Sequence, residues 1–262
     1  MSNTFLSAEW RKLIMINYAV DPTLLEKYLP KHTELDLHEG VCYVSIVGFM
    51  FLNVKLKGIP IPFHRDFEEV NLRFYVKNKG ADGNYKRGVV FINEIVPKLA
   101  LSIVANVVYN EPYVTMPMRH TWTTVGNELT VSYEWRKNKN WYAVEVTADD
   151  KLVEIETDSI EEFITEHYWG YNKKNATQTS EYGVEHPRWH VYPVKKHTIT
   201  MDFAHLYGAD FAFLNLSKPA SILLAEGSEI LVKDGNILRG DFFITFWSVI
   251  LLFFIKCNKK NV

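Results

Sequence analysis

Apolar and polar residues alternate with a period of two along much of this chain, which predicts a mainly antiparallel β protein. Leu129, Val131, Tyr133 and Trp135 are separated by single polar residues, and Trp141 to Thr147 follows a turn of Asn138, Lys139 and Asn140. That spacing predicts a hairpin. Glu68 to Lys77 and Val89 to Val96, joined through a Gly/Asn/Asp turn, predict another. Leu13 to Val20 reads as a strand, and Asp21-Pro22 starts a short helix that Pro30 closes, because Asp caps free N–H groups and Pro suits the first helical position. Val41 to Phe51 is a buried strand running raggedly to Lys57, with Gly58 to Arg65 as loop. After Pro97 the rows Leu99, Ile103, Val107 and Ala100, Val104, Val108 have helical spacing. Ser159 with Glu162 fits a capping box and predicts a short helix to about His167. Asn172 to Gly183 reads as a polar loop. Trp189 to Val194, Thr198 to Asp202, Ala220 to Ala225 and Glu229 to Val232 are further strands. Several hairpins and few helices predict a mainly β (α+β) fold, a barrel or folded-over sheet around a cavity.

No repeat or linker divides residues 1–239, so they form one domain, and 240–262 is a hydrophobic tail. Within it Phe242 to Ile255 is almost unbroken apolar sequence before Lys256, Lys259 and Lys260, yet shorter than the roughly 20 residues that span a bilayer. A buried terminal element or a non-native extension is favoured over membrane contact. A formal net charge of −2, with no long run of one sign, argues against nucleic acid as a partner. Cys42 and Cys257 offer no disulfide framework or metal spacing, and no secretory pattern opens the chain, so the expected location is cytoplasmic. No metal and no cofactor are expected. The oligomeric state is open, a homo-oligomer included.

The stretch Arg65 to Met118 carries the chemistry. Phe67-Glu68-Glu69-Val70-Asn71 opens a strand, Asn93-Glu94 ends the next, and after the apolar helix comes Tyr109-Asn110-Glu111-Pro112-Tyr113. This order resembles the acetoacetate-decarboxylase-like superfamily. Trp10-Arg11, Tyr18, Val20-Asp21-Pro22, Leu24-Leu25, Tyr28-Leu29-Pro30 and His186-Pro187-Arg188-Trp189 are most similar to its uncharacterised YqjF-like bacterial branch, over roughly residues 8 to 233. The resemblance implies a cone-shaped antiparallel β-barrel enclosing an apolar cavity, with a few peripheral helices. It also implies that Arg11, Glu69 and the Asn93-Glu94 pair face a ligand. Because an unpaired buried charge is costly, Arg11 and Glu69 are then expected to be each other's partner inside the cavity. In the decarboxylases a Tyr-Pro step precedes two adjacent lysines, one of which becomes a neutral amine because the two ammonium groups repel. Here Pro112 is followed by Tyr113 and Val114. Decarboxylation of β-keto acids through a Schiff base is therefore not expected.

Other candidates are weighed against structural roles. Lys195-Lys196 follows Tyr192-Pro193-Val194 but lies far along the chain between strands, so at least one lysine points to solvent. Lys98 reads as a surface lysine. His186 and His190 have the spacing of a helical metal pair, but Pro187 makes the segment extended. His120 and Trp122 share an alternating face with Thr124, so His120 is either a cavity acid–base group or a hydrogen-bonded barrel histidine. Glu69 is either a base of raised pKa or Arg11's partner. Trp169, Tyr171, Tyr182, Trp189, Tyr192 and Tyr207 either line a pocket or pack the core and rim. The expected ligand-binding set is Arg11, Glu69, Glu94, Tyr113, His120 and Trp122, with Glu69 and His120 as catalytic candidates. Binding of a small molecule leads; the alternative is an acid–base lyase or hydrolase for a small apolar or carboxylate-bearing substrate.

Overall fold

The computed structural model describes residues 4–60, 62–80, 82–97 and 112–239. The helix expected after Pro97, Lys98 and the tail from 240 lie outside them. In chain order the strands are β1 (Thr4–Val20), β2 (Glu34–Leu35), β3 (Cys42–Leu56), β4 (Ile59–Pro60), β5 (Phe67–Lys79), β6 (Tyr85–Val96), β7 (Tyr113–Thr115), β8 (Met118–Val125), β9 (Glu128–Lys137), β10 (Asn140–Asp149) and β11 (Val153–Glu154). Helix α1 (Ile160–Thr165) precedes β12 (Trp169–Lys173), β13 (Gln178–Glu185), β14 (His190–Tyr192) and β15 (Val194–Thr200); helix α2 (Phe203–Tyr207) precedes β16 (Ser221–Lys233) and β17 (Asn236–Arg239). The fold is mainly β.

Two sheets make up the described residues. The larger runs β16-β1-β3-β5-β6-β12-β13 through its middle, and a further β13–β16 pairing returns the sheet onto itself as a ring. The smaller runs β15-β10-β9-β8 and is antiparallel throughout. Along β5 the period of two sends Val70, Leu72 and Phe74 to one face, where they pack with Val131, Tyr133 and Trp135 of β9. Phe67 and Tyr75 turn inward with Leu13 and Met15 of β1, Phe49 and Phe51 of β3 and Trp189. One face of the large sheet is thus covered by the small sheet. The other surrounds the interior of the ring.

Two bulges set which side chains reach that interior. Against β3, β1 inserts one extra residue between Arg11 and Ile14, and Lys12 there has φ +55°. Trp10 and Leu13 both face inward as a result, whereas Arg11 does not. On β6 an extra residue falls at Ile92, since Leu72 pairs with Asn93 but Arg73 with Phe91. Phe91 and Glu94 therefore share the inner face.

Most strand expectations hold with longer bounds, and five need correction. Trp189 to Val194 is not one strand: it breaks at Pro193, β14 pairing with β16 in the large sheet and β15 with β10 in the small one. The expected loop Gly58 to Arg65 contains β4, which pairs with β3. Asn172 to Gly183 is not a loop: β12 and β13 pair antiparallel across it. Its polar residues are buried in specific bonds, Thr179 Oγ1 donating to Lys31 O at 2.6 Å and Lys86 Nζ to Glu181 Oε1 at 2.8 Å. Ala220 to Ala225 and Glu229 to Val232 form one strand, β16, running through Gly227 at φ +80°, where an added Cβ would lie 2.0 Å from Trp10 O. The segment after Lys233 belongs to the sheet, because β17 pairs with β13. The Asp21 turn and the Ser159 cap form as expected: Asp21 Oδ1 accepts from Thr23 N at 2.9 Å and Ser159 Oγ from Glu162 N at 3.1 Å.

Candidate functional site

Strand β5 carries a polar ladder into the ring. Glu69, Asn71 and Arg73 lie two residues apart on its inner face, which puts all three side chains on one cavity wall. Asn71 Nδ2 donates to Glu69 Oε1 at 2.9 Å, and the Tyr113 hydroxyl donates to Glu69 Oε2 at 3.2 Å from β7, which runs parallel to β6 with Tyr113 beside Glu94. Arg73 is 8% exposed, and Nη2 lies 3.5 Å from Ile164 O. Its Nε is buried without a hydrogen-bond partner among the described residues, as is Asn71 Oδ1.

A second polar group enters from the segment between α1 and β12. His167, its side chain 1% exposed, places Nε2 3.1 Å from Asp36 Oδ2, and Arg87 Nε reaches the same oxygen at 2.6 Å. Burial pushes the His167 pKa down to about 4, against the raising effect of the Asp36 hydrogen bond, so the ring is neutral at pH 7. Burial also works against the Asp36 carboxylate, but hydrogen bonds from His167 and Arg87 outweigh it and hold the pKa at about 2. Because the ring is neutral, the positive charge beside Asp36 is that of Arg87, with Lys77 Nζ 3.9 Å from the other carboxylate oxygen. His167 Nδ1 is buried and unpartnered among the described residues.

These groups line a cavity of about 210 Å³ whose remaining walls are mostly apolar and aromatic, among them Trp10, Phe49, Phe67, Phe91, Trp169 and Trp189. At the ~30 Å³ that each water occupies in the liquid, that is room for about seven waters. A buried polar atom left without a partner costs roughly 1–3 kcal/mol. Other buried polar groups of the ring are satisfied, Asn17 Nδ2 donating to Ser221 Oγ and Ser45 Oγ bonding Asn17 Oδ1 and Tyr75 Oη, although Trp10 Nε1 is also unpartnered among the described residues. Tyr75 is the next inward residue after Arg73, so satisfied and unsatisfied groups adjoin on one strand.

Of the residues expected at the site, Glu69, Glu94 and Tyr113 line the cavity. Arg11 does not. It sits half-buried on the outer side of the ring, its Nη2 2.7 Å from Glu9 Oε2 and its Nη1 3.6 Å from Glu226 Oε1, so the expected Arg11–Glu69 pair is replaced by these contacts. His120 and Trp122 also lie outside, on β8 of the small sheet: His120 Nδ1 is 2.7 Å from Glu68 Oε1, and Trp122 Nε1 donates to Tyr133 Oη at 3.2 Å. Trp169, Tyr182 and Trp189 line the cavity, and Tyr171, Tyr192 and Tyr207 do not. Lys195 and Lys196 are exposed, Lys195 Nζ lying 2.5 Å from Asp149 Oδ1. Among the described residues no group of His, Cys, Asp or Glu is placed to hold a metal, and no helix is long and apolar enough to cross a membrane.

Arg73 and His167 were missed by sequence reasoning. The Glu69, Asn71, Arg73 alternation was a signal for the first; nothing local marks His167, whose partner Asp36 is distant in sequence.

The fold places the chain in a known structural class. Its architecture is similar to that of the enduracididine biosynthesis enzyme MppR, solved with the condensation product of pyruvate and imidazole 4-carboxaldehyde, at TM-score 0.63 and 11% identity, covering 91% of each chain. It is also similar to acetoacetate decarboxylase from Legionella pneumophila (TM-score 0.60, 13% identity, 90% of this chain and 88% of that one) and to an acetoacetate-decarboxylase-like enzyme from Sphingomonas wittichii RW1 (0.62, 10%, 90% and 94%). At such identities the likeness is one of fold. Residues 7–229 match the family DUF2071, described as an uncharacterized conserved protein, and the chain belongs to that family. Over 77 residues it is 36% identical to YqjF of Bacillus subtilis strain 168, a match spanning 29% of this chain and 32% of that relative.

Proposed function

We propose that this protein binds a small, largely apolar molecule bearing one anionic oxygen, held inside the ring as in a cone-shaped barrel. The observation that carries the reading is Arg73: a buried guanidinium, its Nε unpartnered, in the wall of an otherwise aromatic cavity. A buried N–H left without an acceptor is costly, and a ligand oxygen would relieve that cost. The cavity is smaller than the ~300–1,000 Å³ that drug-sized molecules need, so the ligand is small. Glu69, with Tyr113 and Asn71 bonded to it, forms a polar counterpart to Arg73 along the same wall.

Schiff-base decarboxylation is disfavoured by Tyr113-Val114 at the place of the lysine pair, and no lysine is among the described residues lining the cavity. One observation supports a second reading, an acid–base enzyme: the Tyr113 hydroxyl and the Glu69 carboxylate share a hydrogen bond inside the cavity and could relay a proton. The expected setting remains cytoplasmic, with oligomeric state open.

Native mass spectrometry of the full chain purified from its source tests the leading reading. A retained adduct of small mass, lost from Arg73→Met, is expected. Borohydride trapping of a lysine adduct with acetoacetate, accompanied by carbon dioxide release, would overturn it in favour of the decarboxylase. Turnover of a carboxylate substrate that disappears in Glu69→Gln and Tyr113→Phe would favour the acid–base enzyme.

A further inference from the structure

The hydrogen-bonding state of His167 narrows the ligand. Asp36 is ionised and accepts only, so the Nε2 that faces it at 3.1 Å must carry the ring hydrogen. In the neutral ring the lone pair then sits on Nδ1, the nitrogen that is buried without a partner. The cavity wall therefore holds an acceptor, His167 Nδ1, as well as a donor, Arg73 Nε–H. The two groups are neighbours, since both lie against the Tyr75 ring, the Arg73 guanidinium carbon 5.6 Å and the imidazole centroid 4.7 Å from its centroid.

Resting on the small-molecule reading above, we propose that the cavity takes a small hydroxycarboxylate with an apolar body: its carboxylate accepts from Arg73 and its hydroxyl donates to His167 Nδ1. Asp36 acts as a positioning residue that fixes the tautomer. A plain carboxylate would leave Nδ1 unpartnered, and a plain alcohol would leave the guanidinium uncompensated. Each therefore binds more weakly than the molecule that carries both groups.

Three probes of one shape test this: phenyllactate, phenylpropanoate without the hydroxyl, and phenylethanol without the carboxylate. Their binding is read by calorimetry and by quenching of the cavity tryptophans Trp10, Trp169 and Trp189. Phenyllactate should bind about tenfold more tightly than either analogue, the scale of one buried hydrogen bond. His167→Phe should abolish its advantage over phenylpropanoate. Because that variant removes a buried contact to Asp36, nitrogen-15 NMR of the unaltered protein gives an independent reading. The free ring should be the Nε2–H tautomer, and phenyllactate but not phenylpropanoate should shift the Nδ1 resonance. Equal affinity for the two carboxylates, or an Nδ1 resonance that phenyllactate leaves unmoved, overturns the hydroxycarboxylate assignment while leaving small-molecule binding intact. Failure of all three probes to bind overturns both.

Discussion

The two faces of β5 alternate residue by residue yet do different work. Val70, Leu72 and Phe74 are fully buried against β9 of the small sheet, in a face packed side chain to side chain. Glu69, Asn71 and Arg73, equally hidden from solvent, line a cavity with polar atoms left over. Burial alone does not separate core from site. The separating feature is whether unpartnered groups border open space: Arg73 and Asn71 do so in the cavity wall, whereas Trp135 Nε1, also unpartnered among the described residues, belongs to the packed face and does not line the cavity.

The contrast breaks first if the two faces respond alike to truncation. Phe74→Ala should cost about 3–5 kcal/mol in urea unfolding, because it opens a hole in a filled layer. Phe91→Ala, which only enlarges an existing cavity, should cost less than half as much. Equal losses would mean that the inner face is ordinary core.

Next in size is acid. His167 refuses a proton in the fold, where its pKa falls from 6.5 to about 4, while the unfolded chain accepts one. Stability from this group is fully present above pH 6.5 and is lost as pH falls toward about 4, by roughly 3 kcal/mol at most. Asp36 adds a further loss from pH 3.8 toward about 2. Asp36 contacts the ring at 3.1 Å, Arg87 and Lys77 approach Asp36 at 2.6 and 3.9 Å, and Arg73 lies against the same Tyr75 ring as His167. Urea titrations at a series of pH values should show the slope, and His167→Phe should flatten it between pH 6.5 and about 4.

Arg73→Met tests the inner face without opening a hole. Replacing a buried cation that has an unpartnered N–H by an apolar chain of similar length should leave unfolding free energy unchanged or raise it by about 1 kcal/mol, while weakening carboxylate binding. A loss of about 2 kcal/mol or more would make Arg73 a structural residue.

The smallest effect belongs to the outer side of the ring. Arg11→Ala removes partly exposed ion pairs to Glu9 and Glu226 and should change stability by less than about 1 kcal/mol, with ligand binding unaltered. A tenfold loss of binding in that variant would return Arg11 to the site.

Hairpins were legible wherever apolar alternation met turn residues, as in β5–β6 and β9–β10. The β12–β13 hairpin was not, because Asn172, Thr179, Ser180 and Glu181 look like loop residues until partners such as Lys31 O and Lys86 bury them. Glu69, Glu94 and Tyr113 were legible as cavity residues through the resemblance. Arg11 was misplaced by the bulge at Lys12, which sends Trp10 and Leu13 inward on either side of it. His120 was misplaced because its strand joined the other sheet.

The sequence by itself determined the strands, most turns, the family and the fact that Glu69, Asn71 and Arg73 share a face, since period-two alternation is a local property of the chain. Only the tertiary structure decided that this polar face turns into the ring rather than to solvent, and that Asp36 and His167, 131 residues apart, meet beside it. Which face a strand buries depends on where bulges shift its phase and which sheet covers it, and both are set by pairings between distant segments.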